Sequence, residues 1–366
     1  MPEYYVISAR NRFFGPAQGC FIEFEDLLVS CCNAALISPE LSHARPLPGL
    51  KRFAHPLRLD VPVRGSRESQ VLFIVGISTS FVVEVLASIR NWRSRFDLVY
   101  AYISDAWLED AERSQPTWRR RLSRYWSILA SLDHLFIPVG GSTAGLARHY
   151  GIPVSMLPMA CDVLRFGSNR TSRAIDVMGY GRQHPTHGQI LARTFNAPES
   201  QRIYYHTDHT GIGDVFDFTA HRQLFWKLLG QSKLALAYDA LAVNTRKFPC
   251  SFVGQRWFEC VTAGCLIIGR RPACAEMNDL FPWRDSTIEV PDAEADLVDF
   301  VEGLLADRSR LEAAHRRNYY HALGSHDWRH RIATIHDILA LKYPDPLNRQ
   351  LETIRNQHAR LSPSDA

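Results

Sequence analysis

The feature that most constrains how this chain can fold is an alternation between short apolar runs and stretches with helical periodicity. In the first half, the apolar runs span residues 4–8, 35–38, 71–77, 98–103, 135–139 and 153–159. Helical patterns, such as 81–92 and 118–131, separate several of these runs. Strands that alternate with helices indicate a mainly parallel sheet with helices on both faces.

A second series of the same kind follows the polar run 167–172, which has small turn formers and no apolar periodicity. Its apolar runs span 174–180, 202–206, 234–238, 266–268 and 287–290, and helical spacing dominates from Glu294 onward. A chain of 366 residues also exceeds what one core usually organises. We therefore predict an α/β protein with Rossmann-like domains at 1–167 and 173–330 and a helical C-terminal segment at 331–366.

Composition excludes several classes of function. Forty-two basic residues stand against 38 acidic ones, a net charge of +4 that is too small and too mixed to indicate a nucleic-acid binder. The eight cysteines show no C-x-x-C spacing, which predicts reduced and mostly buried thiols. No signal peptide or long apolar segment is present, so we expect a cytoplasmic location.

One segment leaves room for contact with a membrane. A cationic aromatic stretch contains Arg119, Arg120, Arg121 and Arg124 beside two tryptophans and a tyrosine. Such a helix can touch anionic lipid at the inner face of a membrane, or an acidic acceptor. A solvated helix face explains the same residues.

The first motif with chemical content is a strand that runs into a glycine turn and then a helix, over residues 176–188. Gly181 lets the backbone approach an anion closely, and the helix N-terminus that follows favours negative charge. Arg182 can donate two hydrogen bonds to phosphate oxygens. The alternative is a plain tight turn with a surface arginine.

The second motif, over residues 256–269, is a helix with one carboxylate that ends at Gly264 and leads into a buried strand. Glu259 could accept hydrogen bonds from both hydroxyls of a ribose, because an ionised carboxylate is an acceptor-only group. Open α/β sheets bind ligands at the carboxyl ends of their strands. A solvated helix glutamate is the alternative.

Taken together, these motifs resemble the second domain of glycosyltransferases of group 1, or family 4, in which they read G-R-x4-K-G and E-x4-G-x-P-V-I. Here they read Gly181-Arg182-x4-His187-Gly188 and Glu259-x4-Gly264-x-Leu266-Ile267-Ile268. Two further segments are similar to that family's hinge strand and to its W-x2-R segment, namely 152–162 with Phe166, and 327–331. The resemblance covers roughly residues 130 to 340 in scattered motifs.

The resemblance implies a GT-B fold, in which two Rossmann-like domains face each other across a cleft and a C-terminal helix crosses back to the first. It implies transfer of a sugar from a nucleotide diphosphate sugar to a hydroxyl of a glycan, lipid or small molecule. By the family's pattern, Arg182 and His187 neutralise the donor diphosphate and Glu259 holds the ribose. This architecture normally works without a metal, and the chain has no D-x-D pair. We therefore predict neither metal nor cofactor.

The chain departs from the family's motifs at two positions. His187 stands in place of a lysine, and we expect its imidazole to titrate near neutrality unless phosphate raises its pKa. Ser251 stands in place of the first acid of an E-x7-E pair, so the stereochemical outcome cannot be transferred. The segment is closer to a spore-maturation-type branch with an arginine three residues before the glutamate. Arg256 is therefore a second candidate for binding phosphate.

The N-terminal half offers candidates for the acceptor side. Asp105 follows an apolar strand and is our candidate for the base that activates the acceptor, although an N-cap role explains it equally well. The loop 15–19 after the first strand, with Gly19, and the glycine-rich turn with Ser142 are predicted to line the acceptor cleft, or to be ordinary turns.

Three other functions stay open on the sequence alone. A nucleotide-sugar epimerase would share the donor pocket but would need acid and base residues in place of an acceptor site. A non-catalytic binding protein would explain the changes at His187 and Ser251. A nicotinamide dehydrogenase is disfavoured, because neither glycine turn has G-x-G-x-x-G followed by an acidic residue at the expected spacing.

Overall fold

The structure is a computed structural model, and it describes residues 2–10, 15–38, 69–108, 127–181, 183–207, 214–243 and 248–361. The chain divides into two compact units. The first consists of Met1–Pro158, Asp214–Phe216 and Ile332–Arg349. The second consists of Met159–Gly213, Asp217–Arg331 and Gln350–Ala366.

The strands are β1 Glu3–Ile7, β2 Ala35–Ile37, β3 Gln70–Ser78, β4 Leu98–Asp105, β5 His134–Ile137, β6 Val154–Met156, β7 Ile175–Gly179, β8 Tyr204–His206, β9 Ser232–Tyr238, β10 Leu266–Arg270 and β11 Ile288–Glu289. The helices are α1 Gln18–Cys32, α2 Thr79–Ser88, α3 Trp92–Arg95, α4 Thr143–Tyr150, α5 Val163–Phe166, α6 Pro185–Phe195, α7 Phe218–Gly230, α8 Ala240–Val243, α9 Gln255–Thr262, α10 Ala275–Leu280, α11 Leu297–Ala306, α12 Arg308–Ser325, α13 Trp328–Ile338 and α14 Asp345–Ala359.

The first unit is built on a parallel sheet in the order β2-β1-β3-β4-β5-β6. Its central strand β3 is apolar along most of its length, and its first seven residues are buried. A strand covered on both faces has this composition, because helices shield each side of a parallel sheet. The last residue of β4, Asp105, lies level with Ser78 of β3.

The second unit is built on a parallel sheet in the order β11-β10-β9-β7-β8. The chain starts at β7, in the interior of the sheet, and then adds strands on both sides. Its core joins side chains of β7, β9 and β10 with apolar positions of α6, α11 and α12. The two predicted series of strands are thereby confirmed as two Rossmann-like α/β units.

Helix α9 shows how the second motif forms its local structure. The helix is followed by Gly264, whose φ of +71° is a left-handed conformation that side chains with a Cβ seldom adopt. The backbone N–H of Cys265 donates to the carbonyl of Cys260 at 2.8 Å, and Nη2 of Arg173 donates to the carbonyl of Ala263 at 2.8 Å. These bonds satisfy groups at the helix end and let β10 start two residues after the glycine.

Two of the motif segments meet in a buried ionic cluster in the second unit. Nη1 of Arg329 donates to Asp162 at 2.8 Å and to both carboxylate oxygens of Asp327 at 3.0 Å. Asp327 also accepts the backbone N–H of Val163 at 2.8 Å. These residues join the start of α5 to the start of α13, so the matches at 152–162 and 327–331 have a structural role here.

The chain returns to the first unit after α12. Residues Ile332–Arg349 belong to that unit, where the ring of His336 lies 5.7 Å from the ring of Tyr4. All eight cysteines lie in the described ranges and all are free, as predicted. None of the helices that the structure describes is long and apolar enough to cross a membrane.

Candidate functional site

The first part of the site is the turn after β7, where the backbone of Gly181 and the guanidinium of Arg256 come together. Gly181 has a φ of +59°, and a Cβ placed on it would lie 2.5 Å from Nη2 of Arg256. The same guanidinium lies 5.2 Å from the ring centre of Tyr180. A close backbone approach beside a planar cation favours an anion such as phosphate. Two predicted diphosphate contacts are therefore neighbours, while Arg182 lies outside the described residues.

Glu259, the predicted ribose-binding residue, is buried in α9 and is 5% exposed. Its Oε1 accepts a hydrogen bond from Nη1 of Arg222 at 2.7 Å, and its Oε2 accepts one from the hydroxyl of Tyr180 at 3.2 Å. The guanidinium of Arg222 also stacks over Phe225 at 4.6 Å. The solvated helix glutamate considered above is therefore wrong, because this carboxylate is desolvated and ion-paired.

His187 lies in the first turn of α6 and is 5% exposed. Its Nδ1 is 2.8 Å from the hydroxyl of Tyr238, and its ring centre is 4.0 Å from that of His184. Burial, and secondarily the charge of His184, lowers the pKa of His187 to about 4, although Glu294 opposes the shift. The expectation that this imidazole titrates near neutrality is therefore wrong. When Tyr238 donates to Nδ1, the proton on Nε2 remains for a phosphate oxygen.

One group of side chains in the described ranges has the composition of a metal site. His184, His187 and Glu294 each offer one ligand atom, and these atoms lie within 4.8 Å of one another. Two imidazoles and a carboxylate are ligands that zinc accepts. Nδ1 of His184 already caps α6 by accepting the backbone N–H of His187 at 3.3 Å. The absence of a metal requirement stays a prediction.

The acceptor-side candidates lie in the first unit. Asp105 ends β4 and is partly exposed, at the carboxyl edge of the sheet where ligands bind. Gly19 was predicted to lie in a loop. It is buried in the first turn of α1 instead, where its backbone N–H donates to the carbonyl of Pro16. Ser142 is buried in a short 3-10 turn before α4. The segment with Arg119, Arg120, Arg121 and Arg124 lies outside the described residues.

Several residues of the site were missed by the sequence reasoning. Tyr180 lies inside the first motif, between Gly179 and Gly181, but its apolar ring fits the buried strand pattern and gives no separate signal. Tyr238 ends β9 and Asp239 follows it, so the rule that polar groups at strand ends mark a site would have found them. Arg222 gave no signal, because it is separated from Glu259 by 37 positions and lies on an ordinary amphipathic helix.

With this geometry in view, residues 201–337, just over a third of the chain, match a family model described as "Glycosyl transferase-like". This segment is therefore similar to a glycosyltransferase domain, and it lies largely in the second of the two Rossmann-like units. The resemblance inferred from the motifs is confirmed. The matched segment contains Arg222, Arg256 and Glu259, and it starts after Gly181 and His187.

Solved structures of similar fold include TarM, with a TM-score of 0.45 and 9% identity, covering 73% of this chain and 54% of that one. Another is WaaG, a glycosyltransferase involved in lipopolysaccharide biosynthesis, with a TM-score of 0.44, 11% identity and coverage of 92% and 99%. A third is Glycyrrhiza uralensis UGT73P12, with a TM-score of 0.40, 9% identity and coverage of 98% of each chain.

This chain spans about half the length of TarM. These three likenesses are too distant to bear on the activity of the present chain. No curated protein matches the sequence significantly.

Proposed function

We propose that the protein transfers a sugar from a nucleotide diphosphate sugar to a hydroxyl group of a glycan, lipid or small molecule, without a metal ion. The glycosyltransferase-like segment at 201–337 supports the reaction class. The observation that carries the proposal is the Gly181 turn with the Arg256 guanidinium against it. A leaving diphosphate needs positive charge and N–H donors at this kind of position.

The donor diphosphate is the group that these elements suit. The N–H groups of the turn are donors, and the positive end of the α6 dipole adds to the charge of Arg256. His187 takes part as a neutral donor through Nε2. Arg182 is the second cation that the motif supplies, and we keep it in the proposal.

The nucleoside ribose is assigned to Glu259. Arg222 and Tyr180 each fill part of the bonding capacity of its two oxygens, and they hold the carboxylate in one orientation. An ionised carboxylate only accepts hydrogen bonds, which suits the two hydroxyls of a diol. Burial raises the pKa of Tyr180 well above its usual value, so its hydroxyl stays protonated and donates to Glu259.

For the acceptor we keep Asp105 as the base that removes the hydroxyl proton. Its place at the carboxyl end of β4 supports the assignment. Asp105→Asn should lower kcat by about a hundredfold or more, in the range typical of general base catalysis. The affinity for the nucleotide should not change, because the donor groups belong to the second unit. An unchanged kcat would remove Asp105 from the proposal.

The nucleotide is identified by thermal shift with UDP, GDP, dTDP, ADP, CMP and NAD, on the wild type and on the Arg256→Ala, Arg182→Ala and Glu259→Ala variants. A ligand at about 100 times its dissociation constant stabilises the native state by ~2.7 kcal/mol, which moves the midpoint by several degrees. We expect one nucleoside diphosphate to shift the wild type and to lose this effect in all three variants. The panel is repeated with a chelator, which should change nothing.

Four outcomes would contradict the proposal. A shift by NAD alone, or by no nucleotide, would remove the donor site. Nucleotide binding with a sugar converted but no acceptor product would indicate an epimerase. Binding without any turnover would indicate a binding protein. Loss of binding with the chelator would make the group of His184, His187 and Glu294 a metal site.

A further inference from the structure

A carboxylate that no motif identifies lies at the centre of the same sheet edge. Asp239 follows the last residue of β9, the strand between β10 and β7, and is 7% exposed. Tyr238 is paired in register with Arg270, and the backbone N–H of Asp239 donates to the carbonyl of Arg270 at 2.8 Å. Ligands bind beyond the carboxyl ends of strands in sheets of this kind.

Asp239 lies one strand away from the diphosphate turn. Strand β7 pairs with β9 through Met178 and Ala235. Beyond these pairs β7 ends at Gly179 and β9 at Tyr238, so the Gly181 turn and Asp239 both follow the carboxyl ends of neighbouring strands. The hydroxyl of Tyr238 lies 2.8 Å from Nδ1 of His187, in the helix that follows the Gly181 turn. Asp239 is the next residue after Tyr238. A group attached to a diphosphate at Gly181 would therefore lie at the same sheet edge as this carboxylate.

The carboxylate of Asp239 is oriented by two hydrogen-bond donors and can accept further hydrogen bonds. Oγ of Ser251 donates to Oδ2 of Asp239 at 2.6 Å, and the backbone N–H of Leu241 donates to Oδ1 at 3.3 Å. A carboxylate has about four acceptor directions, so these donors leave capacity for two hydroxyls. Ser251 occupies the position of the missing acid in the family motif. Its hydroxyl therefore brings the carboxylate of Asp239 to the start of the segment that leads into α9.

A third segment, which contains Cys274, interacts electrostatically with the carboxylate of Asp239. Burial raises the pKa of the Cys274 thiol to about 11, and the negative charges of Glu276 and Asp239 raise it further. Asp239 therefore interacts with residues after β9, with the end of β10 and with the segment that precedes α9. All of them belong to the second unit.

We infer that Asp239, oriented by Ser251, binds hydroxyl groups of the donor sugar and makes the site prefer a nucleotide sugar over the bare nucleotide. This inference rests on the proposed function. Sugar hydroxyls are donors that a buried carboxylate needs, and a hydrogen bond to a charged acceptor is among the stronger ones in proteins.

The test compares two affinities by calorimetry, that for a nucleoside diphosphate and that for its sugar derivative, with UDP against UDP-glucose and GDP against GDP-mannose as probes. Asp239→Asn should weaken sugar-nucleotide binding about tenfold, the loss of roughly one charged hydrogen bond. Its effect on the bare nucleotide should stay within about twofold. Ser251→Ala should lower the same preference by a smaller factor, because Leu241 still donates to the carboxylate.

Asp285→Asn is the matched control. Asp285 is a carboxylate of the same unit, 10% exposed and bonded to Arg310, and it lies at a left-handed φ that asparagine tolerates. It should leave the preference unchanged, which separates sugar binding from general stability. Equal loss of both affinities in Asp239→Asn, or no loss, would overturn the inference. A wild type that binds neither ligand would overturn the proposed function and the inference with it.

Discussion

Removal of the cation from the buried Arg222–Glu259 pair is the most direct test of how the site is built. The two groups are 2.7 Å apart, and their side chains are 10% and 6% exposed. Arg222→Leu would leave a desolvated carboxylate without its paired cation, while the hydroxyl of Tyr180 still donates to it. Breaking one side of a buried pair costs about 3–5 kcal/mol. In a unit of this size, that lowers the melting temperature by roughly 10 °C.

The assay is chemical denaturation and calorimetry at pH 7 on wild type, Arg222→Leu, Glu259→Gln and the double variant. The double variant should regain at least half of the loss, because no unpaired charge remains buried. Glu312→Gln serves as the control, since its pair with Arg316 is 3.8 Å long and exposed, and such pairs contribute less than about 0.5 kcal/mol. A cost below about 1 kcal/mol for Arg222→Leu, or no recovery in the double variant, would refute the reasoning.

Two further predictions concern other parts of the chain. Gly181→Ala should weaken nucleoside diphosphate binding at least tenfold, because it adds roughly 1–2 kcal/mol of backbone strain and displaces Arg256. Gly151→Ala is the control, since Gly151 also has a left-handed φ of +71° but has open space around it. In the same binding titration it should leave the affinity unchanged. Burial, opposed by Arg10, raises the pKa of Glu25 to about 7. The folded state therefore binds the proton more tightly, and stability falls as pH rises from about 4.5 to 7, by on the order of 3 kcal/mol. In urea unfolding, the free energy of unfolding of Glu25→Gln should not show this decrease with pH. If the wild type and the variant depend on pH in the same way, the prediction is contradicted.

The predicted strands were confirmed because each is a local pattern. All eleven apolar runs contain or overlap a strand of the structure. In a parallel sheet, buried strands must be apolar along their length, so their composition marks them without reference to distant residues. The glycine at 181 could be read for the same reason, since its left-handed φ is a property of one residue.

The role of His187 could not be read in this way. The sequence shows an imidazole where the motif has a lysine, and the natural expectation is a group that titrates near neutrality. The structure buries that imidazole next to His184 and Tyr238, and its pKa falls to about 4. Desolvation depends on how many atoms from other elements surround a group, which no local pattern records.

The sequence by itself therefore determined the α/β class, the two series of strands and the glycosyltransferase motifs, because periodicity and turn chemistry act over a few neighbouring residues. Tertiary structure alone decided which charges are paired. Glu259 meets Arg222 across 37 positions, and Asp239 meets Ser251 across 12. The free energy of a buried charge is set by its partners and by the exclusion of water, and both exist only once α7, α9 and the end of β9 have packed together.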